Sequence, residues 1–160
     1  MLRAIFFDLD CTLLPMDQDK FIYSYFSRLT GRLAALGYDQ KAVQKHIWNG
    51  TIAMEQNNGP CTNEQVFWDY YNAGEEFYAV NIDKHQPVFE DFYKTDFQLV
   101  KEVCGIDPAA RQTVELLRTK YPLVLATNPL FPAIATKSRV RWAGLEPENF
   151  VHITTYENAS

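Results

Sequence analysis

The sequence predicts an α/β protein, a small parallel sheet whose first strand is followed by a long helical block. Two observations carry the prediction. Short unbroken apolar runs at residues 2–7 (Arg3 apart), 122–126 and 150–154 are too brief for helices and read as strands. Unbroken runs suit strands buried on both faces, and parallel strands of that kind are joined by helical crossovers. Between the runs, apolar residues recur at helical spacing.

The first run leads directly into Asp8. Residues 16–37 follow as a helix. Phe21, Tyr25, Leu29 and Leu33 recur every four residues with Ile22 and Phe26 beside them, so one stripe faces a core. Asp17 or Asp19 can cap its start, and Gly37 can end it. A second helix covers residues 40–49, where Val43 and Ile47 share a face. Asn57-Asn58-Gly59-Pro60 is a turn. Thr62 and Gln65 have the spacing of a capping box ahead of Phe67, Trp68, Tyr70 and Tyr71. A further helix is expected over residues 87–103. Near Gly105 the character changes: Asp107-Pro108 reads as the N-cap and first residue of a helix with Val114 and Leu117 inward. Pro132 opens another helix, which Gly144 closes. Ten aromatic residues lie between positions 61 and 100, which fits a small helical core that uses rings as bulk.

The 160 residues make about one ordinary domain, long enough to bury about 70% of its surface. Hydrophobic residues at 47% against 22% charged exclude an intrinsically disordered chain. The formal net charge of −5 argues against nucleic-acid and anionic-membrane partners, which need a basic surface. No apolar run has the length of a membrane span, and Asp8 arrives too early for a secretory signal. Cys11, Cys61 and Cys104 lie far apart with no C-x-x-C pair. Neither a disulfide framework nor a zinc site is expected, and a cytoplasmic setting fits.

Asp8-Leu9-Asp10-Cys11-Thr12 stands just past the first apolar run, at the carboxyl end of a strand, where open α/β sheets bind ligands. Two neighbouring carboxylates repel each other, and a divalent hard cation balances them. Free N–H groups of the loop can cradle an anion. Carboxylate, cation and anion cradle together suit phosphoryl transfer. The plain alternative is a strand-end Asp8 and a turn Asp10 with no chemistry.

Phe6-Phe7-Asp8-Leu9-Asp10-Cys11-Thr12-Leu13-Leu14 resembles the first motif of the haloacid dehalogenase (HAD) superfamily, D-x-D-x-T after an apolar strand. Leu123-Val124-Leu125-Ala126-Thr127-Asn128 resembles the second, an apolar strand ending in Ser or Thr. The helical block stands where that family carries a helical cap. The resemblance implies a Rossmann-like parallel-sheet core over residues 1–15 and 98–160, with an inserted helical cap over residues 16–97. It also implies a Mg²⁺-dependent phosphohydrolase acting on a small phosphorylated metabolite. Asp8 is then the nucleophile that forms an aspartyl-phosphate, and Asp10 the general acid and later the general base. Mg²⁺ would rest on the Asp8 carboxylate and the Asp10 main-chain carbonyl. Leu9, Asp10, Thr127 and Asn128 would bind the phosphate, Thr127 through its hydroxyl and Asn128 through its N–H. The second Asp implies phosphatase or phosphomutase chemistry rather than carbon–halogen cleavage. Cys11 stands where the family most often has glycine and reads as a permitted small residue. Thr12 reads as a residue that orders the loop.

The family's third motif is a lysine after the third strand, and its fourth is an acidic end to another strand. Neither has a counterpart here: after Thr155 the one charged side chain is Glu157. Lys137, Arg139 and Arg141 read as surface residues, and nothing recommends Lys20 or Lys94 of the cap as substitutes. The C-terminal strands are therefore expected to be missing. That leaves the edge of the first strand open, to be covered by a second copy if the chain is a homo-oligomer. The alternative function is a truncated N-terminal fragment of such a phosphatase, catalytically impaired or non-catalytic. A receiver-type signalling domain needs an acceptor Asp after a later strand, where this chain has Thr127 and Thr154-Thr155. His46, His85 and His152 are scattered and read as packed or solvated.

Overall fold

A computed structural model describes residues 2–73 and 82–160 of the chain. Three short strands, β1 (Ile5–Phe7), β2 (Leu123–Leu125) and β3 (His152–Ile153), pair in parallel in the order β1-β2-β3. Ile5, Phe6 and Phe7 stand opposite Leu123, Val124 and Leu125, and the last two stand opposite His152 and Ile153. The ladder extends past β3 through Val151 N–H to the Leu123 carbonyl (2.8 Å) and Thr154 N–H to the Leu125 carbonyl (2.9 Å). The fold is thus α/β with a parallel sheet, and each strand is shorter than the apolar run that announces it.

The sheet is not buried on both faces as the first run suggests. Phe6 is 68% exposed, and its neighbours Val124 and His152 are half-buried and exposed, whereas Leu123 and Leu125 are buried. Topology gives the reason. Both crossovers step the same way across the sheet, from β1 to β2 to β3. Right-handed crossovers that step the same way lay their helices on one face and leave the other uncovered.

The first crossover contains the helical block. α1 (Gln18–Ala34) begins at Asp17, whose carboxylate accepts the Lys20 N–H at 3.2 Å. Its stripe of Phe21, Tyr25, Phe26, Leu29 and Leu33 is buried, as the four-residue repeat requires. Gly37 then turns the chain at φ +97°, a conformation that glycine adopts without strain. α2 (Gln40–Glu55) is capped by Asp39 on the Ala42 N–H (2.8 Å) and runs past Asn49, where the sequence suggests its end. It passes through Gly50 because α3 (Asn63–Ala73) lies close against it. A Cβ at Gly50 would stand 3.0 Å from the Phe67 ring. Thr62 accepts the Gln65 N–H at 3.3 Å, one half of the expected capping box.

The helix expected over residues 87–103 is two elements instead. α4 (Ile82–Lys94) starts upstream and contains Pro87, and a 3₁₀ segment, Asp96–Val103, follows. Arg32 of α1 holds the break. Its guanidinium pairs with Asp91 before the break, with Asp96 after it (2.5 Å), and with the Thr95 hydroxyl between them (2.7 Å). Residues 74–81 of the expected cap, with Phe77 and Tyr78, lie outside the described residues.

α5 (Pro108–Arg118) starts as the sequence suggests, with Asp107 accepting the Ala109 N–H at 2.8 Å and proline in the first turn. α6 (Ala133–Trp142) follows β2 and ends before Gly144, whose φ is +75°. Rings join the helical block to the segment after β2. Phe97 lies 6.2 Å from both Tyr25 and Phe131 and 5.0 Å from Trp142 of α6, centroid to centroid. Such pairs add to the burial energy of the rings. Tyr25 and Tyr93 share a hydrogen bond between hydroxyls (3.0 Å) in this core. Burial pushes Tyr25 up to about 12 and Tyr93 well above its ordinary value, so both stay neutral at physiological pH. Among the described residues no helix is long and apolar enough to cross a membrane.

Candidate active site

The carboxyl end of β1 presents Asp8, which is exposed. The next residues form a tight loop that folds back on Leu9. The Leu9 carbonyl accepts the N–H groups of Thr12 (3.2 Å), Leu13 (2.9 Å) and Leu14 (2.9 Å). Cys11 makes the turn at φ +60°, in the left-handed region that glycine adopts freely and other residues rarely do. Thr12 donates its hydroxyl to Asp8 at 3.1 Å, so it does order the loop. The Cys11 thiol is exposed and faces the Met16 carbonyl at 3.6 Å.

Asp10 is half-buried and ion-paired to Arg139 of α6. This corrects the expectation that Arg139 is a surface residue. Its side chain is fully buried, its guanidinium carbon lies 4.4 Å from the Phe131 ring centre, and Nη2 is 3.4 Å from the Thr136 hydroxyl. A fully buried cation is stable only when paired, and Asp10 and the Phe131 ring supply the pairing. The pair is incompletely satisfied: among the described residues Asp10 Oδ1 and Arg139 Nε are buried without a hydrogen-bond partner. The sequence did carry a signal. Arg139 follows Ala135 by four and precedes Trp142 by three, on the buried side of α6. Lys137 and Arg141 are exposed, as expected.

At the end of β2, Thr127 is buried, and its carbonyl accepts the Thr154 hydroxyl at 2.6 Å. No hydrogen bond of the described residues uses its own hydroxyl. Asn128 beside it is exposed. The strand ends therefore bring Asp8 and Asp10 to the same place as Thr127 and Asn128, across more than a hundred residues of chain. All four line one cleft of about 380 Å³. Leu9 is fully buried and does not line it. The opposite wall comes from α1 and α2, including Phe26, Trp48 and Glu55.

Asn63, which the sequence did not single out, fixes the cap against this loop. It is 1% exposed and donates its side-chain amide to the Pro129 carbonyl at 3.1 Å, next to Asn128. Its own N–H and that of Glu64 are capped by the Ala159 (2.9 Å) and Tyr156 (2.8 Å) carbonyls. Glu157 caps α6 in turn, accepting the Ala133 N–H at 2.8 and 3.0 Å. Asparagine is common at helix starts for local reasons, so only the fold distinguishes this one.

The histidines take no part. His46 bonds to the Tyr71 carbonyl (2.9 Å), His85 lies between the Tyr71 and Tyr38 hydroxyls (2.9 and 2.8 Å), and His152 is exposed on the sheet. Lys20 pairs with Asp17 and Lys94 with Glu90, and neither lines the cleft. Cys104 is pushed up to about 11, first by burial and then by the negative charge of Asp10, so its thiol stays protonated. Among the described residues no group of three or more His, Cys, Asp or Glu side chains is arranged to hold a metal. The acidic oxygen donors among the described cleft residues are the Asp8, Asp10 and Glu55 carboxylates, and Asp10 Oδ1 has no hydrogen-bond partner among them. No protein-family model matches the chain, and no curated protein does.

Proposed function

We propose that the chain is a Mg²⁺-dependent phosphohydrolase of the HAD type, with a Rossmann-like core and a helical cap, acting on a small phosphorylated metabolite. One observation carries the reading: Asp8, Asp10, Thr127 and Asn128, read from two separate motifs, line a single cleft. The Asp8 carboxylate attacks phosphorus, and the bond from phosphorus to the ester oxygen breaks. Asp10 gives the departing alkoxide a proton and then takes one from the water that hydrolyses the aspartyl-phosphate, which restores Asp8 and releases phosphate. Thr127 donates its hydroxyl, and Asn128 its N–H, to phosphoryl oxygens. Arg139 does not reach the cleft surface; it orients the Asp10 carboxylate from behind.

The donors fit Mg²⁺, which is commonly held by one or two carboxylates, the substrate phosphate and water. Asp8 is exposed to the cleft with Thr12 as its one hydrogen-bond partner among the described residues, so its second oxygen is open to a cation. When bound, the ion offsets the charge between the nucleophile and the phosphoryl group.

A second reading, a catalytically impaired relative that binds phosphate esters, is favoured by one observation. No lysine or arginine lines the cleft among the described residues. Hydrolysis of an aryl phosphate with and without Mg²⁺ separates the two. Metal-dependent turnover that Asp8→Asn abolishes is the expected result. Binding without turnover would favour the second reading.

A further inference from the structure

The reaction leaves the cap wall of the cleft unexplained. That wall is largely aromatic and aliphatic, with Gln18 and Thr51 as neutral polar groups, and among the described residues Glu55 is its one carboxylate. Ile22 and Trp48 are 42% and 45% exposed there, and the Trp48 ring lies 5.7 Å from that of Phe26. Glu55, the last residue of α2, is exposed, and no ion pair or hydrogen bond of the described residues engages its carboxylate. No lysine, arginine or histidine lines the cleft among those residues.

We infer, on the premise that the cleft is a phosphatase site, that its substrate is the phosphomonoester of a small cationic alcohol, an amino alcohol or its quaternary analogue. The ammonium group rests against the Trp48–Phe26 wall and faces Glu55. Charge decides the sign. Arg139 is directed at Asp10 and Asp8 at the phosphoryl group, so no basic side chain of the described residues offsets Glu55 in the cleft. A second phosphate or a carboxylate on the leaving group would meet Glu55 with no basic side chain to offset the repulsion. A neutral polyol could bond to Gln18 and Thr51 but would gain nothing from the Trp48 and Phe26 ring faces. An organic cation gains from both features, since the ring faces attract it through their quadrupoles and the carboxylate through its charge. The volume of about 380 Å³ suits a small ligand.

The test uses the full chain and two isosteric esters: choline phosphate, and the analogue in which carbon replaces the ammonium nitrogen. Binding of the two free alcohols is followed through the Trp48 indole N–H resonance, and KM is measured for the two esters. Choline is expected to shift the resonance, and choline phosphate to have a KM about ten-fold lower than its neutral isostere. Glu55→Gln or Trp48→Leu is expected to bring that ratio to about one. Phosphoglycolate is expected to be the poorest substrate. Equal affinity for charged and neutral forms, or a preference that survives Glu55→Gln, overturns the inference. Choline binding is read without turnover, so the two failures separate. Choline binding with no hydrolysis of any ester upholds the cation site and removes the phosphatase reading. Aryl phosphate turnover with no charge preference removes the cation site alone.

Discussion

On the core side of the cleft, Asp8 and Asp10 flank Leu9 just past the end of β1, and Thr127 and Asn128 are adjacent just past the end of β2. On the cap side, Phe26, Trp48 and Glu55 come from α1 and α2, two helices that meet through ring packing such as the Phe26–Trp48 contact at 5.7 Å. The first wall is set by local chain geometry, because a strand end aims the residues that follow it. The second is set by packing between distant segments. Changes to the core wall should therefore remove chemistry and leave stability in place. Changes beneath the cap wall should do the reverse.

The sharpest contrast is Asp8→Asn. Turnover of an aryl phosphate is expected to fall at least about a thousand-fold. Unfolding free energy should move by no more than about 0.5 kcal/mol, since the carboxylate is exposed and makes a single hydrogen bond among the described residues. Phe97→Ala strikes the packing. This ring is completely buried among Tyr25, Phe92, Phe131 and Trp142, and its removal is expected to cost about 3–5 kcal/mol in urea unfolding. A cost below about 1 kcal/mol would show that the rings do not form the joint between cap and core.

Arg139 belongs to both sides of the comparison, since it is buried in α6 and bonded to Asp10, the acid–base residue we propose. Arg139→Met is expected to cost about 3 kcal/mol, because it strands the Asp10 charge in a half-buried place. Adding Asp10→Asn should recover part of that loss, and the double-mutant cycle reads the coupling directly. Additive effects would mean that the pair is not formed.

Smaller effects sit at the turn and at the cap–core joint. Cys11→Gly relieves a left-handed backbone and is expected to raise stability by about 1 kcal/mol, measured by thermal unfolding. Glu64 has a carboxyl raised above its ordinary 4.5, first by burial and then by the nearby charge of Glu157. The folded state then holds a proton more tightly than the unfolded chain. Glu64 therefore contributes stability below about its ordinary value, and that contribution is lost as pH rises through its folded value. Glu64→Gln should flatten that part of the stability curve.

The same division governs how much the sequence discloses. The parallel sheet, the caps at Asp17 and Asp107, the stop at Gly144 and the four cleft residues of the core are local patterns, and each is legible in a few letters. Arg139 was not, because a basic residue on a helix reads as solvated unless its stripe is compared with Ala135 and Trp142. Phe6 was not, because an apolar strand says nothing about which sheet face the crossovers will cover. The break between α4 and the 3₁₀ segment was not either. It depends on Arg32, about sixty residues away in sequence, gathering Asp91, Thr95 and Asp96. Asn63 is identified only by its distant partner, the Pro129 carbonyl.

The central claim is that Asp8 carries the phosphoryl group. Rapid acid quench of Asp10→Asn with an aryl phosphate and Mg²⁺, followed by mass spectrometry of the fragment containing residues 2–14, tests it most directly. Slowed hydrolysis of the intermediate should leave one phosphoryl group on Asp8, and Asp8→Asn should abolish the adduct. Consumption of substrate with no adduct, or an adduct on any other residue, would contradict the account.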